Sequence, residues 1–162
     1  MNPTTEHTKE KSVFLKSYPK IELIKNVINN IYHTPNVYIQ ISVLGKLATE
    51  ELNPTFLNSK THLQTYCEND LKLSSKFGTI LNPEIGPFFI AGFLAPMFLQ
   101  EVNGKTIGSM PTGLFGILSG LGINQNNICT HLRTLKKGNY ILILRGSNSE
   151  LNKLKSQLKI AN

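Results

Sequence analysis

Apolar residues along the chain follow two periods, and the switches between them mark its elements. Ser12 to Ser17 is a short apolar run of strand type. Pro19 then opens a stretch in which Ile21, Ile24, Ile28 and Ile31 recur at helical spacing with Leu23 and Val27 beside them, which predicts a helix with one buried face. Pro35-Asn36 interrupts it, and Val37, Ile39, Ile41 and Val43 alternate with Tyr38, Gln40, Ser42 and Leu44 up to Gly45, the period of a strand. The chain therefore starts β-α-β. Residues 47–77 are less regular: Asn53-Pro54 is a break, and Leu63, Tyr66, Cys67 and Leu71 predict a helix.

From Asn82 to Gly122 apolar residues are interrupted by glycine and proline. Asn82-Pro83 and Gly86-Pro87 punctuate the chain before Phe88 to Val102, and Asn103-Gly104 turns it back into Ile107 to Leu121. This pattern predicts two helices joined by a tight turn. On the second, Thr112, Gly116 and Gly120 fall four apart with Gly113 alongside, a spacing that lets one helix backbone approach another.

Gly122 ends that arm, and Asn124 caps a helix to about Lys136 with Ile128, Leu132 and Leu135 on one face. Asn139 to Leu144 is an unbroken β-branched and aromatic run between glycines, the signature of a buried strand. Ser147 and Glu150 form a capping box, followed by the stripe Leu151, Leu154 and Leu158, with Lys153, Lys155 and Lys159 toward the helix end. The order β-α-β, helical hairpin, α-β-α predicts an α+β fold of ferredoxin-like plan, a small sheet with helices on one face. A fourth strand is required by that plan and finds no segment. Residues 1–10 are polar and aperiodic, so the domain is expected to span 11–162 with the hairpin at about 82–122.

A content of 40% hydrophobic and 17% charged residues over 162 positions is that of one globular domain rather than a disordered or multi-span chain. The cluster Val13 to Leu15 is too short for a signal-peptide core, which makes cytoplasmic residence the expectation. Cys67 and Cys129 are too few and too distant for a disulfide framework, and His7, His33, His62 and His131 lack metal-ligand spacing, so neither metal nor cofactor is expected. The formal charge of +7 is uneven. Segments 1–44, 45–103, 104–130 and 131–162 carry +2, −2, +1 and +6. Arg133, Lys136, Lys137 and Arg145 are thus a candidate patch for nucleic acid or an anionic membrane surface, with Tyr140 the one aromatic nearby.

Enzymatic motifs are missing from the sequence: no G-x-S-x-G, H-E-x-x-H, P-loop or dinucleotide fingerprint occurs. Ser119-Gly120 follows a helical pattern where a nucleophile elbow needs a strand, and Gly120-Leu-Gly122 reads as helix termination. Glu50-Glu51 and the pair Glu68 and Asp70 imply no apolar pocket. A non-catalytic protein without a small-molecule substrate is expected. Phe88 to Leu99 is too short to cross a bilayer, which takes about 20 residues. The hairpin residues Pro83, Gly86, Pro87, Phe88, Phe89, Gly92, Thr112, Gly113, Gly116 and Gly120 are therefore candidate contacts for a homo-oligomer, with peripheral membrane attachment as the further alternative.

Pro83-Glu84-Ile85-Gly86-Pro87 with Ala91-Gly92, then Gly113 to Gly116 and Gly120 to Ile123, then Lys136-Lys137-Gly138-Asn139 before Tyr140 to Leu144 appear in one order. In these residues the chain resembles the general stress protein 17M-like, or heat-induced stress protein, family of small bacterial proteins. The resemblance covers about half the chain by motif and the β-α-β start by pattern. It implies a stress-associated, non-enzymatic or uncharacterised role. Asn124, Ile128 and His131 depart from the family's Pro, Ala and Tyr, and Phe88, Phe89, Phe93, Met97 and Phe98 replace a small-residue arm, which implies side-chain packing there rather than close backbone contact.

Overall fold

In a computed structural model the described residues are 11–47, 62–73 and 76–158. The predicted β-α-β start is strand β1 (Lys11–Tyr18), helix α1 (Ile21–Tyr32) and strand β2 (Gln40–Lys46). A π-helical turn spans Tyr66–Asp70, followed by strands β3 (Phe77–Asn82) and β4 (Gly86–Gly92). Short helix α2 (Ala95–Leu99) leads into the two-residue strands β5 (Glu101–Val102) and β6 (Lys105–Thr106) and a 3-10 turn (Ile107–Ser109). Helices α3 (Gly113–Gly120) and α4 (Gln125–Lys136), strand β7 (Tyr140–Ser147) and helix α5 (Asn148–Leu158) complete the chain.

Five strands form one antiparallel sheet in the order β1-β7-β2-β4-β3. The α+β class is as expected. The parallel strands β1 and β2 bracket β7, the split β-α-β unit of a ferredoxin-like plan, and β3 and β4 supply the strand that the sequence pattern lacked. Helices lie on both faces, however, not on one. Ile24, Ile28, Leu151 and Leu154 of α1 and α5 pack with Val43, Ala91, Leu142 and Leu144, while Leu118, Ile128 and Leu135 of α3 and α4 pack with Leu44, Ile90, Ile141 and Ile143. Successive strand residues point to opposite faces, so a strand covered on both sides needs an unbroken apolar run. Ile141 to Leu144 and Phe88 to Ala91 meet that need, each residue being at most 1% exposed.

The helical hairpin at 82–122 is corrected by the same observation. Its first arm opens as strand β4 and is helical only from Ala95 to Leu99, and α-helix in the second begins only at Gly113. Asn103-Gly104 does turn the chain, between β5 and β6, with both residues at positive φ. The glycine spacing on α3 also acts differently from expectation. A Cβ on Gly113 would lie 1.8 Å from the Ile107 carbonyl oxygen, whereas one on Gly116 or Gly120 would meet nothing within 4 Å. Close backbone approach therefore belongs to Gly113 alone of the three.

Asn82 is a buried hub rather than simple punctuation. Its Oδ1 accepts from the Glu84 and Ile85 amides (2.8 and 3.1 Å), shaping the β3–β4 turn, and its Nδ2 donates to the Gly108 and Met110 carbonyls (both 2.9 Å). All four bonds are made inside the protein, where an unpaired amide would be costly. The caps follow the sequence: Asn124 accepts from the Asn127 amide, and Ser147 and Glu150 exchange bonds of 3.3 Å between amide and side chain.

Candidate functional sites

The end of the sheet where β1 and β2 begin and β7 and β4 finish gathers two exposed tyrosines. Tyr32 occupies the last position of α1, one residue beyond the buried stripe of Ile24, Ile28 and Ile31, and is 47% exposed. Its hydroxyl donates to the Lys72 carbonyl (3.1 Å), and burial of that hydroxyl raises its pKa, so it stays a protonated donor. Asn36, at φ 60°, turns the chain between α1 and β2. Tyr38 follows at 82% exposure, its amide donating to Glu150 Oε2 (2.6 Å). Backbone anchoring thus leaves the Tyr38 ring in solvent.

Lys11, Tyr32, Tyr38 and Gln40 line one groove of about 370 Å³, and Tyr32 and Gln40 continue into a second of about 230 Å³ with Lys72 and Phe93. Arg145 Nη1 donates to Gln40 Oε1 (2.9 Å), and Lys153 Nζ reaches the Pro35 carbonyl (3.4 Å). Lys11, Lys72, Arg145 and Lys153 are thereby brought to this end by four separate segments. Glu150 is the carboxylate bound into it, and Asp70, close by in sequence to Lys72, is paired with Lys25 (3.7 Å). Sequence reasoning missed this surface. Its signal was an aromatic residue on the polar phase of each of two successive elements, Tyr32 off the helical stripe and Tyr38 opposite Ile39 in the alternation.

The predicted basic patch does not assemble. Arg133, Lys136 and Lys137 stand at the C-terminal end of α4, where β7 begins, while Arg145 lies five residues along β7 toward its other end. Tyr140 is half-buried with its ring 6.2 Å from Phe89. Arg133 and Lys136 instead border a cleft of about 340 Å³ against the β3–β4 turn and α3. Lys46 Nζ donates to the Lys136 carbonyl there (3.0 Å).

Ser17 and His131 meet at a nucleophile-to-base distance, Oγ to Nδ1 2.8 Å, yet Ser17 Oγ is also 2.7 Å from Thr134 Oγ1. The adjacent cavity of about 430 Å³ is lined by His131 and not by Ser17. We read the pair as docking α4 onto β1. Burial lowers the His131 pKa from its ordinary 6.5 by penalising the imidazolium. Below pH 6.5 the unfolded chain takes up a proton that the folded protein resists, so stability falls as pH drops through that window and is unaffected above it. Urea unfolding of the native protein and of His131→Gln on both sides of pH 6.5 checks this, the variant being expected to lose that part of the pH dependence.

Of the candidate oligomer contacts, Phe88 and Phe89 are fully buried and Gly92 and Gly113 are interior, so none of these four reaches a partner surface in the folded chain. Pro83, Thr112, Gly116 and Gly120 are exposed, and Gly86 and Pro87 are partly so. Much of the apolar surface that suggested self-association is covered by the chain's own elements, whereas Met97 and Val102 of the same segment are each 43% exposed. Cys67 is buried and Cys129 exposed, both as free thiols. Among the described residues no group of three or more His, Cys, Asp or Glu side chains is placed to hold a metal ion, and no helix is long and apolar enough to cross a membrane. Residues 1–10, Glu50 and Glu51 lie outside the described residues. No protein-family model, curated protein or solved structure matches the chain.

Proposed function

We propose that the protein is a non-catalytic module that binds single-stranded nucleic acid at its Tyr32–Tyr38 end. The carrying observation is the 82% exposure of Tyr38 in a groove shared with Tyr32 and Lys11. An aromatic ring held in solvent by backbone anchoring is a stacking platform for any base, and cations around it neutralise phosphates. The +7 charge supports attraction of a polyanion. Both sheet faces are covered by helices, so the groove at the sheet end takes the place of a sheet-face platform. The stress-protein resemblance motivates a stress-associated, cytoplasmic setting for this role.

Fluorescence anisotropy with a labelled oligothymidylate of about 10 nucleotides, within the range one such site covers, tests the reading. Affinity should fall with salt with a log–log slope of about −3, as expected for four cations at roughly −0.7 each. Tyr38→Ala should weaken binding by about 5- to 150-fold, the equivalent of one lost stack. Binding that is undetectable at low salt, or that Tyr38→Ala leaves unchanged, overturns it.

A further inference from the structure

We propose that the cleft between α3, α4 and the β3–β4 turn binds a small monocarboxylate with an apolar chain. Its volume of about 340 Å³ is within the range of small-molecule sites. The walls are apolar, built by Ile85, Pro111, Phe115 and Leu132. Ile85 is held in place by its amide bond to the buried Asn82, so this wall is set by the core of the fold and not by a loose loop.

The polar groups are confined to a few positions. Cys129, Leu132, Arg133 and Lys136 fall at i, i+3, i+4 and i+7 on α4 and so share one face of that helix, bringing two cations and a thiol to the cleft. Glu84 contributes a single carboxylate from the turn. The ion pair found among the described residues is Lys25–Asp70, so neither Arg133 nor Lys136 is neutralised by Glu84 at ion-pair distance. The two lining cations outnumber the one carboxylate, and Lys46 Nζ stands just behind them on the Lys136 carbonyl, so the border is net positive and suits an anionic head group. Across the cleft, Thr112 lines the wall as the N-cap of α3 and makes no side-chain capping bond, while the Gly113 amide that follows is taken by the Met110 carbonyl (3.0 Å). Apolar walls then take the chain and the cationic border takes the carboxylate, the usual division of labour in a small-molecule pocket.

Cys129 serves as the reporter. It lines the cleft and is exposed, whereas Cys67 is buried with its thiol pushed up to about 12, so the neutral reagent iodoacetamide alkylates Cys129 selectively. Alkylation is followed in the presence of octanoate, with octanol as the uncharged control, at concentrations that leave Cys67 unlabelled. Octanoate at roughly ten times its Kd should slow Cys129 alkylation about ten-fold, because about one molecule in ten remains unoccupied. Octanol should give little protection, and the double variant Arg133→Gln/Lys136→Gln, altered at two exposed positions, should lose the effect of octanoate. Absence of protection by octanoate, or equal protection by octanol and octanoate, overturns the proposal. Tyr38→Ala protein should behave as the native protein does, which keeps this result separate from the nucleic-acid reading.

Discussion

Phe89→Ala is expected to destabilise the protein by about 3–5 kcal/mol, the cost of deleting a fully buried aromatic ring together with the cavity it leaves. The Phe89 ring stacks on Phe77 (centroids 5.8 Å) and meets Tyr140 (6.2 Å). It also covers Gly45 on the neighbouring strand, where a Cβ would lie 2.2 Å from Phe89 Cε1. Glycine at 45 and phenylalanine at 89 are therefore complementary: the ring occupies the space that the missing side chain leaves. Truncation removes contacts to two rings and uncovers the Gly45 backbone, in a layer too tightly packed to collapse onto the gap. Against a total stability of about 5–15 kcal/mol this is a large fraction, and the midpoint of thermal unfolding should fall by on the order of 10 °C. Circular dichroism melting reads the change. A residue at an oligomer contact would behave otherwise, changing the sedimentation of the protein while leaving its melting nearly untouched.

Gly113→Ala and Gly116→Ala are expected to have opposite signs, although the sequence presents both as small residues on one helix. At Gly113 the added methyl would sit 1.8 Å from a backbone oxygen, Ile107 O, which cannot rotate away as a side chain could. The 3-10 turn carrying Ile107 is tied through Gly108 and Met110 to Asn82, so moving it also strains two buried hydrogen bonds. A loss of about 3 kcal/mol is expected, at the upper end of the usual range for overpacking. At Gly116, exposed in the middle of α3 with open space around it, alanine lowers the backbone entropy of the unfolded chain and raises helix propensity, for a gain of about 0.5–1 kcal/mol. Urea denaturation of the two variants checks both signs. Equal losses would mean that α3 packs its glycines against another helix, as the spacing alone suggests.

The elements that could be read from the chain are those specified by neighbours in sequence. The capping box of Ser147 and Glu150, the Asn124 cap, the Ile24–Ile28–Ile31 stripe and the strand at Tyr140 all rest on interactions or periods within a few residues. The stretch from Phe77 to Gly92 was not readable as strand. Burial on both faces erases the alternation that marks a strand, and a short unbroken apolar run has the same appearance in a buried helix. Its prolines and glycines then favoured the wrong reading, since Gly86 and Gly92 are turn and contact positions at the two ends of β4 and not helix-packing sites.

The candidate sites show the same division. Tyr32 and Tyr38 were visible as aromatic residues out of phase with the apolar pattern, but only the fold brings Lys72, Arg145 and Lys153 to them. Conversely, Arg133 and Arg145 looked like one patch because they are close in sequence, and the length of β7 separates them. The sequence by itself determined the helix caps, the single-faced helix α1, the buried strand β7 and the α+β class, because these follow from local hydrogen bonding and side-chain periodicity. Only the tertiary structure decided that both sheet faces are covered, which glycine is indispensable and which charges share a surface. Those properties depend on strand order, which places residues tens of positions apart in contact and leaves no periodic trace in the chain.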